Sequence, residues 1–418
     1  MKNLLIVVEC INKNKSSEGI ATVNFLNAID TNQFNVDCVF YEFPQFEISN
    51  PDWINPKIKL YQLKNNKLDF IFSKYSKIKN FFAKYFGISI LKEYRIFRLK
   101  KYLNSKFENR EFDLIFSRTI ATSICSHRAL ISSTLSIKNN LLIYFNDPAP
   151  FCLMPYPYST GSTFNPKFDQ KEIKHVKFII SKSTAIASPS YLLNEFFLKL
   201  NGDYFKPAFT FPHLFFEDLV KKNFQPSVKY DRSKINITHC GSLLSGRDPS
   251  TLIEAIEEFV KMYPDFKTKI SLNFFGPINN LHKKILNTNY YEFLNVVDKR
   301  FSHAESLALM RNSDLPLLIE SSYEDSPFMP VKLAELIGLG KVFLVLSPKK
   351  SETRRVLGEN YSFQTESNNK SEILAKIKDF VEDTYEKEIL QNRIYTLQEY
   401  VSPESVNISL NKVINQFS

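Results

Sequence analysis

Cysteine and histidine are scarce in this sequence of 418 residues, which contains five of the former and six of the latter. No two cysteines stand at C-x-x-C spacing, and the histidines do not form a group. The sequence therefore lacks the usual signature of a disulfide framework or of a metal site. Because the cysteines fall mostly in apolar, strand-like segments, we expect reduced core residues of a cytosolic protein at Cys10, Cys38, Cys125, Cys152 and Cys240.

Long apolar runs are missing as well. No run reaches the roughly 18 residues that a membrane-spanning helix needs, and the apolar segment 4–8 is too short for the core of a signal peptide. The sequence has no internal repeat, no low-complexity segment and no D-x-D triplet that could hold a divalent metal ion. These absences predict a cytoplasmic protein without a membrane span, an export signal, a metal or another cofactor.

Apolar runs of strand length alternate with helical patterns along the chain. The predicted strands cover residues 3–8, 36–41, 114–116, 141–145, 185–187, 234–240, 269–275, 293–297, 315–319 and 342–346. Such alternation predicts parallel sheets with right-handed crossovers, and the length suffices for two domains with separate cores. Polar and proline residues in segment 216–233 predict a linker between a domain at 1–216 and a domain at 234–400.

The most distinctive segment, 327–347, places one glutamate in an otherwise apolar helix pattern. Pro330 suits a first helical turn, leucines recur at helical spacing, and two glycines end the helix before the strand predicted at 342–346. Glu335 is therefore expected in a short helix packed against a parallel sheet, near a strand end. A carboxylate there can accept hydrogen bonds from a ribose diol. The alternative is an ordinary surface glutamate.

A second segment combines a predicted strand, a glycine-containing loop and a helix. The strand at 234–240 runs into a loop with Gly241, Ser242 and Arg247, and helical periodicity resumes at 252–259. A loop of this kind at a helix N-terminus favours anions, because free backbone N–H groups and the helix dipole point toward the ligand. Arg247 adds a permanently charged, planar group suited to a diphosphate.

Written as patterns, the segments read P-x-K-L-x-E-x-x-x-x-G-K from Pro330 and G-S-L-x-x-x-R-x-P from Gly241. They resemble the donor-binding motifs of retaining glycosyltransferases of the family-4 type, in the order found there. The resemblance is specific in the second half of the chain and weak in the first. It implies an α/β GT-B fold: two Rossmann-like domains whose parallel sheets face a cleft, with a final helix (residues 402–418) that crosses back to the first domain.

The resemblance also implies roles for individual residues. Glu335 would bind the donor ribose, and Arg247 and Lys332 would neutralise the leaving diphosphate, where charge develops as the glycosidic bond breaks. The residues implied around a nucleotide sugar of the UDP or GDP type are Gly19, Gly241, Ser242, Arg247, Ser326, Pro327, Phe328, Met329, Lys332, Leu333 and Glu335. Retention of anomeric configuration follows from the same likeness. No divalent metal ion is expected, since these cations and the helix dipole can neutralise the diphosphate and no D-x-D triplet is present.

One position departs from the family pattern. The family carries a first acidic residue eight positions before the second, and Pro327 occupies that position here. Glu324 and Asp325 lie close enough in sequence to substitute for it through a shifted loop. Otherwise the backbone amides of residues 326–329 must hold the donor sugar. The departure concerns sugar recognition and leaves nucleotide binding unaffected.

Polar residues also follow predicted strands in the first half. Asp147 comes after the strand at 141–145, so it is expected at the carboxyl edge of the sheet, where it could orient an acceptor hydroxyl or cap a turn. Arg118 follows another strand and puts a cation at the same edge. Gly19, at a helix start, either approaches a ligand or is a plain loop glycine. His213 and His303 are each compatible with a site or with an ordinary structural role.

The net charge of +10 is concentrated in one region. Residues 64–110 contain thirteen lysines and arginines but only three acidic residues, interleaved with phenylalanine and tyrosine. A cationic, aromatic, amphipathic segment favours docking at an anionic membrane surface. Helices with solvated lysines are the alternative. Nucleic acid is not expected as a partner, since no nucleic-acid motif accompanies the charge.

The sequence thus predicts an enzyme that transfers a sugar from a nucleotide sugar to a glycan or lipid-linked acceptor. Its catalytic residues would be Arg247, Lys332 and Asp147. The resemblance and the basic segment together place the reaction at the inner face of the cell membrane, in cell-surface polysaccharide or lipopolysaccharide assembly. Two alternatives stay open: a GT-B-fold sugar-nucleotide epimerase, and a catalytically inactive binding or partner subunit.

Overall fold

The computed structural model describes residues 1–12, 17–42, 51–74, 76–156, 166–202, 204–216, 224–244, 246–321 and 324–417. The chain divides into two compact units. Unit 1 comprises Met1–Leu214 together with Pro403–Ser418, and unit 2 comprises Phe215–Ser402. Most of the linker predicted at 216–233 is described, but residues 217–223 lie outside the described residues.

Unit 1 is built on a seven-stranded parallel sheet with the strand order β3-β2-β1-β4-β5-β6-β7. Its strands are β1 (Lys2–Val8), β2 (Phe34–Phe40), β3 (Lys59–Gln62), β4 (Leu114–Arg118), β5 (Leu141–Tyr144), β6 (Ala185–Ser188) and β7 (Ala208–Thr210). The central strands are buried and largely apolar because helices cover both faces of the sheet. All carboxyl ends consequently meet at one edge.

The helices of unit 1 connect these strands. They are α1 (Ser17–Ala28), α2 (Lys67–Lys74), α3 (Ser76–Phe86), α4 (Ile90–Phe107), α5 (Cys125–Ile131), α6 (Pro166–Lys182) and α7 (Tyr191–Asn201). On one face of the sheet, Leu5, Ile115 and Ile143 pack with residues of α4 and α5. On the other face, Phe25 of α1 stacks on Phe116 of β4 with ring centroids 4.7 Å apart.

Unit 2 contains a six-stranded parallel sheet with the order β10-β9-β8-β11-β13-β15. Its strands are β8 (Ile235–Cys240), β9 (Ile270–Phe275), β10 (Leu294–Val297), β11 (Leu315–Ile319), β13 (Leu344–Leu346) and β15 (Gln364–Thr365), and a separate short pair is formed by β12 (Asp325–Ser326) and β14 (Lys350–Ser351). The helices are α8 (Ser250–Met262), α9 (His303–Asn312), α10 (Val331–Gly338), α11 (Glu352–Leu357), α12 (Lys370–Val381) and α13 (Lys387–Gln398).

The last helix, α14 (Glu404–Phe417), belongs to unit 1 and packs against α1 and β7. Asn407 links α14 to the backbone at the end of α1. Its side-chain amide donates to the Ala28 carbonyl at 2.8 Å and accepts from the Asp30 N–H at 2.8 Å. Lys2 donates to Asn415 at 2.7 Å. The chain therefore returns from unit 2 to unit 1, as the resemblance implied.

The predicted α/β architecture with parallel sheets is confirmed, and each predicted strand overlaps an observed one. The strand predicted at 342–346 begins later, at Leu344, because the Phe343 N–H donates to the Tyr361 hydroxyl at 3.0 Å instead of joining the ladder. The five cysteines are buried and free, as expected of reduced core residues. None of the helices in the described ranges is long and apolar enough to span a membrane.

Candidate functional site

Gly241, a predicted donor-binding residue, lies at one of three neighbouring strand ends in unit 2. The register of the sheet pairs Cys240 at the end of β8 with Phe275 at the end of β9. Gly241 and Gly276 follow these strands directly, and Glu320 follows β11. Since all the strands are parallel, these residues lie along one edge of the sheet, where open α/β folds place their ligands.

The two glycines bring backbone close together at this edge. Both adopt positive φ angles, +143° at Gly241 and +147° at Gly276, a region that side chains disfavour. A Cβ atom on Gly276 would lie 2.2 Å from the Gly241 carbonyl oxygen, so no side chain fits there. A Cβ on Gly241 would meet the Lys332 side chain at 3.4 Å. The loop after β8 is therefore held against Lys332.

Arg247 is positioned by the loop that joins β8 to α8. Its Nη1 donates to the Ser242 carbonyl at 3.1 Å, and its own N–H donates to the Leu244 carbonyl at 2.9 Å. Asp248 accepts from the Ser250 N–H at 2.9 Å and so fixes the start of α8. The Arg247 Nε is buried and makes no hydrogen bond in the described structure. Ser245, also part of this loop, lies outside the described residues.

Glu335 lies on α10 between two cationic or protonatable side chains. Lys332, one turn earlier, places its Nζ 3.1 Å from Oε2, and the His303 Nε2 lies 2.8 Å from Oε1. Burial alone would raise the pKa of Glu335, but the Lys332 charge and the hydrogen bond to His303 outweigh it and lower the pKa to about 2. Glu335 is therefore a carboxylate at neutral pH and not an ordinary surface residue.

His303 gains its position from the start of α9. The Ser302 hydroxyl accepts from the Glu305 N–H at 3.2 Å, and the Glu305 carboxylate accepts from the Ser302 N–H at 3.0 Å. This reciprocal capping box begins the helix at His303 and directs the imidazole toward α10. The sequence left open whether His303 belongs to a site or has an ordinary structural role. In the structure its imidazole contacts Glu335 directly.

Positive charges cluster at this edge. Burial opposes the charge on Lys332, yet Glu335 raises its pKa, while Arg247 acts in the opposite direction as a neighbouring cation. His239 on β8 lies beneath them, and burial, Arg247 and Lys332 lower its pKa to about 3, so it is neutral. The edge therefore presents two permanent cations above a neutral base, an arrangement that favours an anionic ligand.

The predicted site residues just before α10 and in its first turn differ in how far they are buried. The Met329 and Leu333 side chains belong to the hydrophobic core of unit 2, so only their backbone is available to a ligand. Pro327 and Phe328 are partly exposed. Ser326 is buried and donates from its hydroxyl to the Glu320 carboxylate.

Glu320 is the acidic residue that the sequence analysis missed. It is buried, burial raises its pKa against the hydrogen bond from Ser326, and Arg247 is close enough to act on it. Glu324 and Asp325, the predicted substitutes for the missing family acid, are both exposed, and Asp325 pairs with Lys350 at 3.0 Å. The signal that could have found Glu320 is its position directly after a buried apolar strand.

The remaining predicted residues lie in unit 1. Gly19 is in α1 and is buried. Asp147 follows β5 and is partly buried; burial, then the nearby Glu18 charge, raise its pKa to about 6. Arg118 ends β4 and stacks on Tyr144, with its guanidinium carbon 4.2 Å from the ring centroid. His213 is buried close to the end of unit 1.

The basic segment 64–110 forms α2, α3 and α4, and part of its charge is internal. Lys92 pairs with Glu172 at 2.7 Å, Arg98 with Asp69, and Arg110 with Asp37. These ion pairs neutralise part of the positive charge of the segment, and docking at a membrane stays a prediction. The side chains of residues 75–80 lie outside the described part of the chain.

No group of three or more histidine, cysteine, aspartate or glutamate side chains in the described residues could hold a metal ion. The positive charges that the structure shows at this edge are those of Arg247 and Lys332.

No protein-family model and no curated protein matches the chain, but solved structures match it over its full length. The N-terminal domain of Candida albicans trehalose-6-phosphate phosphatase aligns with a TM-score of 0.68 at 13% identity, covering 100% of this chain and 97% of that chain. The UDP-forming α,α-trehalose-phosphate synthase of Burkholderia xenovorans in complex with glucose-6-phosphate aligns with a TM-score of 0.64 at 8% identity, covering 99% and 100%. An Escherichia coli trehalose-6-phosphate structure bound with UDP-2-fluoro glucose aligns with a TM-score of 0.63 at 11% identity, covering 99% of each chain.

These alignments establish the fold. The chain has the α/β GT-B architecture of glycosyltransferases, as predicted. The relationship to the family-4-type group stays a prediction.

Proposed function

We propose that the chain is a glycosyltransferase that moves a sugar from a UDP or GDP sugar to a glycan or lipid-linked acceptor. Unit 2 binds the donor and unit 1 binds the acceptor. The reaction belongs to the assembly of a cell-surface polysaccharide or lipopolysaccharide, at the cytoplasmic face of the membrane. The GT-B fold and the chemistry of the unit 2 edge support this proposal.

The observation that carries the proposal is the group formed by Arg247, Lys332 and Glu335. Two cations at the edge of a parallel sheet suit a diphosphate, and the unpartnered Nε of Arg247 supplies a donor for one of its oxygens. A carboxylate with a pKa of about 2 can only accept hydrogen bonds at neutral pH, which suits a ribose diol. The three residues thus match the separate parts of a nucleoside diphosphate.

The chemical step follows from this placement. The bond between the sugar C1 and the diphosphate oxygen breaks, and its electron pair stays on the diphosphate. Arg247, Lys332 and the backbone N–H groups of Gly241 and Ser242 stabilise that charge without a metal ion. The acceptor hydroxyl oxygen bonds to C1 with retention of configuration and gives its proton to the departing diphosphate oxygen, while Asp147 orients this hydroxyl.

Sugar recognition falls to Glu320 and to the backbone of residues 326–329. Glu320 is the buried acid closest in sequence to the missing family position, while Glu324 and Asp325 are exposed. Its hydrogen bond from Ser326 ties it to the segment whose amides would contact the sugar.

An exposed cluster of aromatic side chains supports membrane docking. Phe81, Tyr85 and Phe86 on α3 contact one another, and more than half of each side chain is exposed (52%, 60% and 54%). Lys84 is exposed among them, and Leu68, Phe70 and Ile71 on α2 are also exposed. Apolar clusters of this kind with lysines suit the interface of an anionic bilayer.

Incubation with a panel of nucleotide sugars tests the transferase proposal. Slow hydrolysis to free nucleotide is expected from the protein, and at least 100-fold less from Arg247→Ala, since a charge-stabilising group of this kind is worth about that factor. Lys261→Ala, on the exposed face of α8, is the matched control and should keep the wild-type rate. Interconversion of the sugar would identify an epimerase, and binding without turnover an inactive subunit; either outcome overturns the proposal.

Cosedimentation with vesicles tests the docking surface separately. The protein should bind vesicles that contain anionic lipid better than neutral ones, and Phe81→Ser with Tyr85→Ser should reduce this binding. Tyr290→Ser, which removes an equally exposed ring in unit 2, should not. Equal binding by both variants would remove α3 as the docking element.

A further inference from the structure

Arg118 differs from four other buried or half-buried cations of unit 1. Arg98, Arg110, Arg128 and Lys92 each pair with a carboxylate in the described structure. Arg118 is only 3% exposed, yet no acidic side chain of the described residues lies within ion-pair distance of it. A buried charge without a partner is costly, so native proteins rarely keep one without a reason.

The contacts of Arg118 leave part of its guanidinium unused. The guanidinium stacks on Tyr144, with its carbon 4.2 Å from the ring centroid. The same carbon lies 5.7 Å from the ring centroid of Phe25. These contacts offset part of the cost of burial. The Nε is buried and has no hydrogen-bond partner in the described part of the protein. The edge of a guanidinium that carries Nε binds phosphate and carboxylate groups in bidentate fashion.

The sheet register explains why Glu9 does not reach Arg118. Arg118 pairs with Val8 of β1 and with Tyr144 of β5, and paired residues of parallel strands point to the same face. Glu9, one residue after Val8, therefore points to the opposite face, where it accepts from the Ser126 N–H of α5 at 2.9 Å. The strand pairing thus keeps the buried Glu9 carboxylate away from the guanidinium.

A second unsatisfied polar atom lies at the same edge. Asn146 follows β5, the strand that pairs with β4, and is 9% exposed. Its Oδ1 has no hydrogen-bond partner among the residues that the structure describes. Two buried polar groups with unused capacity at neighbouring strand ends are the mark of a ligand site rather than of a finished core.

We propose that Arg118 is the anion-binding residue of the unit 1 site and that the acceptor carries a phosphate or carboxylate group. The Nε edge of the guanidinium would bind two oxygens of this group, and Asn146 would accept from a hydroxyl of the attached sugar or carrier. That the bound molecule is an acceptor rests on the proposed function. The anion site itself does not depend on that function. A soluble sugar phosphate and a lipid-linked phosphate present the same chemistry.

Titration with inorganic phosphate tests the anion site without turnover. The protein is labelled with ¹⁵N-arginine, and Arg118→Lys identifies the Arg118 Nε signal by its loss. The titration is done in Arg247→Ala, in which the donor site is weakened. Phosphate should shift the Arg118 signal, and Arg118→Gln should bind phosphate roughly 10-fold or more weakly, the usual scale for losing a charge-assisted hydrogen bond. An unmoved Arg118 signal, with equal affinity in both proteins, overturns the proposal.

The source of the anion is separated by two further arms. Glucose 6-phosphate represents a soluble acceptor and is compared with glucose. A short-chain polyprenyl phosphate in neutral micelles represents a lipid-linked acceptor and is compared with empty micelles. Whichever phosphate shifts the Arg118 signal at the lower concentration names the source, and a response to neither contradicts the proposal.

Donor hydrolysis by the wild-type protein distinguishes this inference from the proposed function. If the wild-type protein hydrolyses no nucleotide sugar but phosphate still shifts Arg118, the transferase proposal fails and the anion site stands. If hydrolysis proceeds and Arg118 does not respond, only the anion site fails.

Discussion

Two clusters in the molecule share one composition and differ in their place. In unit 2, Glu335 contacts Lys332 and His303; in unit 1, Glu172 contacts Lys92 at 2.7 Å and His175 at 3.6 Å. Both glutamates are buried, and neighbouring cations and hydrogen bonds overcome the effect of burial and lower each pKa to about 2. By charge and pKa alone the clusters are equivalent.

Their connections separate them. Glu172 joins α6 to α4 through a lysine 80 residues away in sequence, so this cluster fastens helices. Glu335 and Lys332 lie on one helix at i, i+3 spacing. Gly241 lies against the Lys332 side chain, and Arg247 is a second cation close to Lys332. A lowered carboxylate pKa therefore indicates nearby cations and hydrogen-bond donors, but not their purpose. The surrounding backbone and the unsatisfied donors show whether such a cluster stabilises packing or binds a ligand.

The largest effect is expected from Arg247→Ala. Removing this cation takes away stabilisation of the leaving diphosphate, so turnover should fall by about 100-fold or more, equivalent to roughly 3 kcal/mol of transition-state free energy. The matched change in the other cluster, Lys92→Ala, should lower stability and leave turnover per folded molecule unchanged. Initial rates corrected for the folded fraction measure both, and similar loss in both variants would break the comparison.

Smaller effects are expected from Glu335→Gln, which should change ligand binding, and from Glu172→Gln, which should change the free energy of unfolding. Glu335→Gln should weaken UDP or GDP binding about 10-fold relative to pyrophosphate, because the ribose loses a charged acceptor and pyrophosphate has no ribose. Glu172→Gln should leave that ratio unchanged and cost about 1–2 kcal/mol of unfolding free energy, less than a fully buried pair, since the Lys92 side chain is 33% exposed.

Calorimetric titrations and urea unfolding measure this pair. We expect Glu172→Gln to change only the free energy of unfolding, whereas Glu335→Gln changes the ratio of nucleotide to pyrophosphate affinity. A Glu172→Gln variant that alters the ratio of nucleotide to pyrophosphate affinity would contradict it.

Asp147 gives a prediction on pH. Its pKa is raised to about 6, so the carboxylate that we propose to orient the acceptor hydroxyl forms only as the pH rises through that value. Transfer should therefore increase between about pH 5 and pH 7, and Asp147→Asn should transfer slowly without this dependence. Donor hydrolysis, which needs no acceptor, should keep its own pH profile. A wild-type transfer rate that is flat across this range would exclude the role.

The smallest effect concerns stability in acid. Both cluster glutamates have folded-state pKa values of about 2, against roughly 4.3 in an unfolded chain. The unfolded state binds more protons between these values, so the stability that each cluster contributes is present above about pH 4.3 and is lost as the pH falls toward 2. Each glutamine variant should flatten the pH dependence of unfolding in this range, as urea melts at several pH values would show.

The sequence predicted what local periodicity encodes. The strands at 3–8 and 315–319 and the short helix with Glu335 follow from apolar spacing and flanking glycine and proline, and the structure has them within one or two residues. Helix α12 was not predicted, although Ile373, Ile377 and Phe380 recur at helical spacing. Its packing against α8 is a tertiary contact that sequence spacing does not show.

Contacts across the fold were beyond sequence spacing. The capping box at Ser302 could be identified, but not that the next residue, His303, reaches Glu335 on a helix 32 residues later. Likewise the pairing of Arg98 with Asp69 and of Arg110 with Asp37 turned part of an expected cationic surface into internal ion pairs. Charge counting along the chain cannot distinguish a solvated lysine from a partner in a buried pair.

A crystal structure of the protein with UDP or GDP tests the central claim most directly. The account predicts the diphosphate within hydrogen-bond distance of Arg247 and Lys332, and both ribose hydroxyls donating to Glu335. A nucleotide bound elsewhere on the protein, with Glu335 still enclosed by Lys332 and His303, would contradict it.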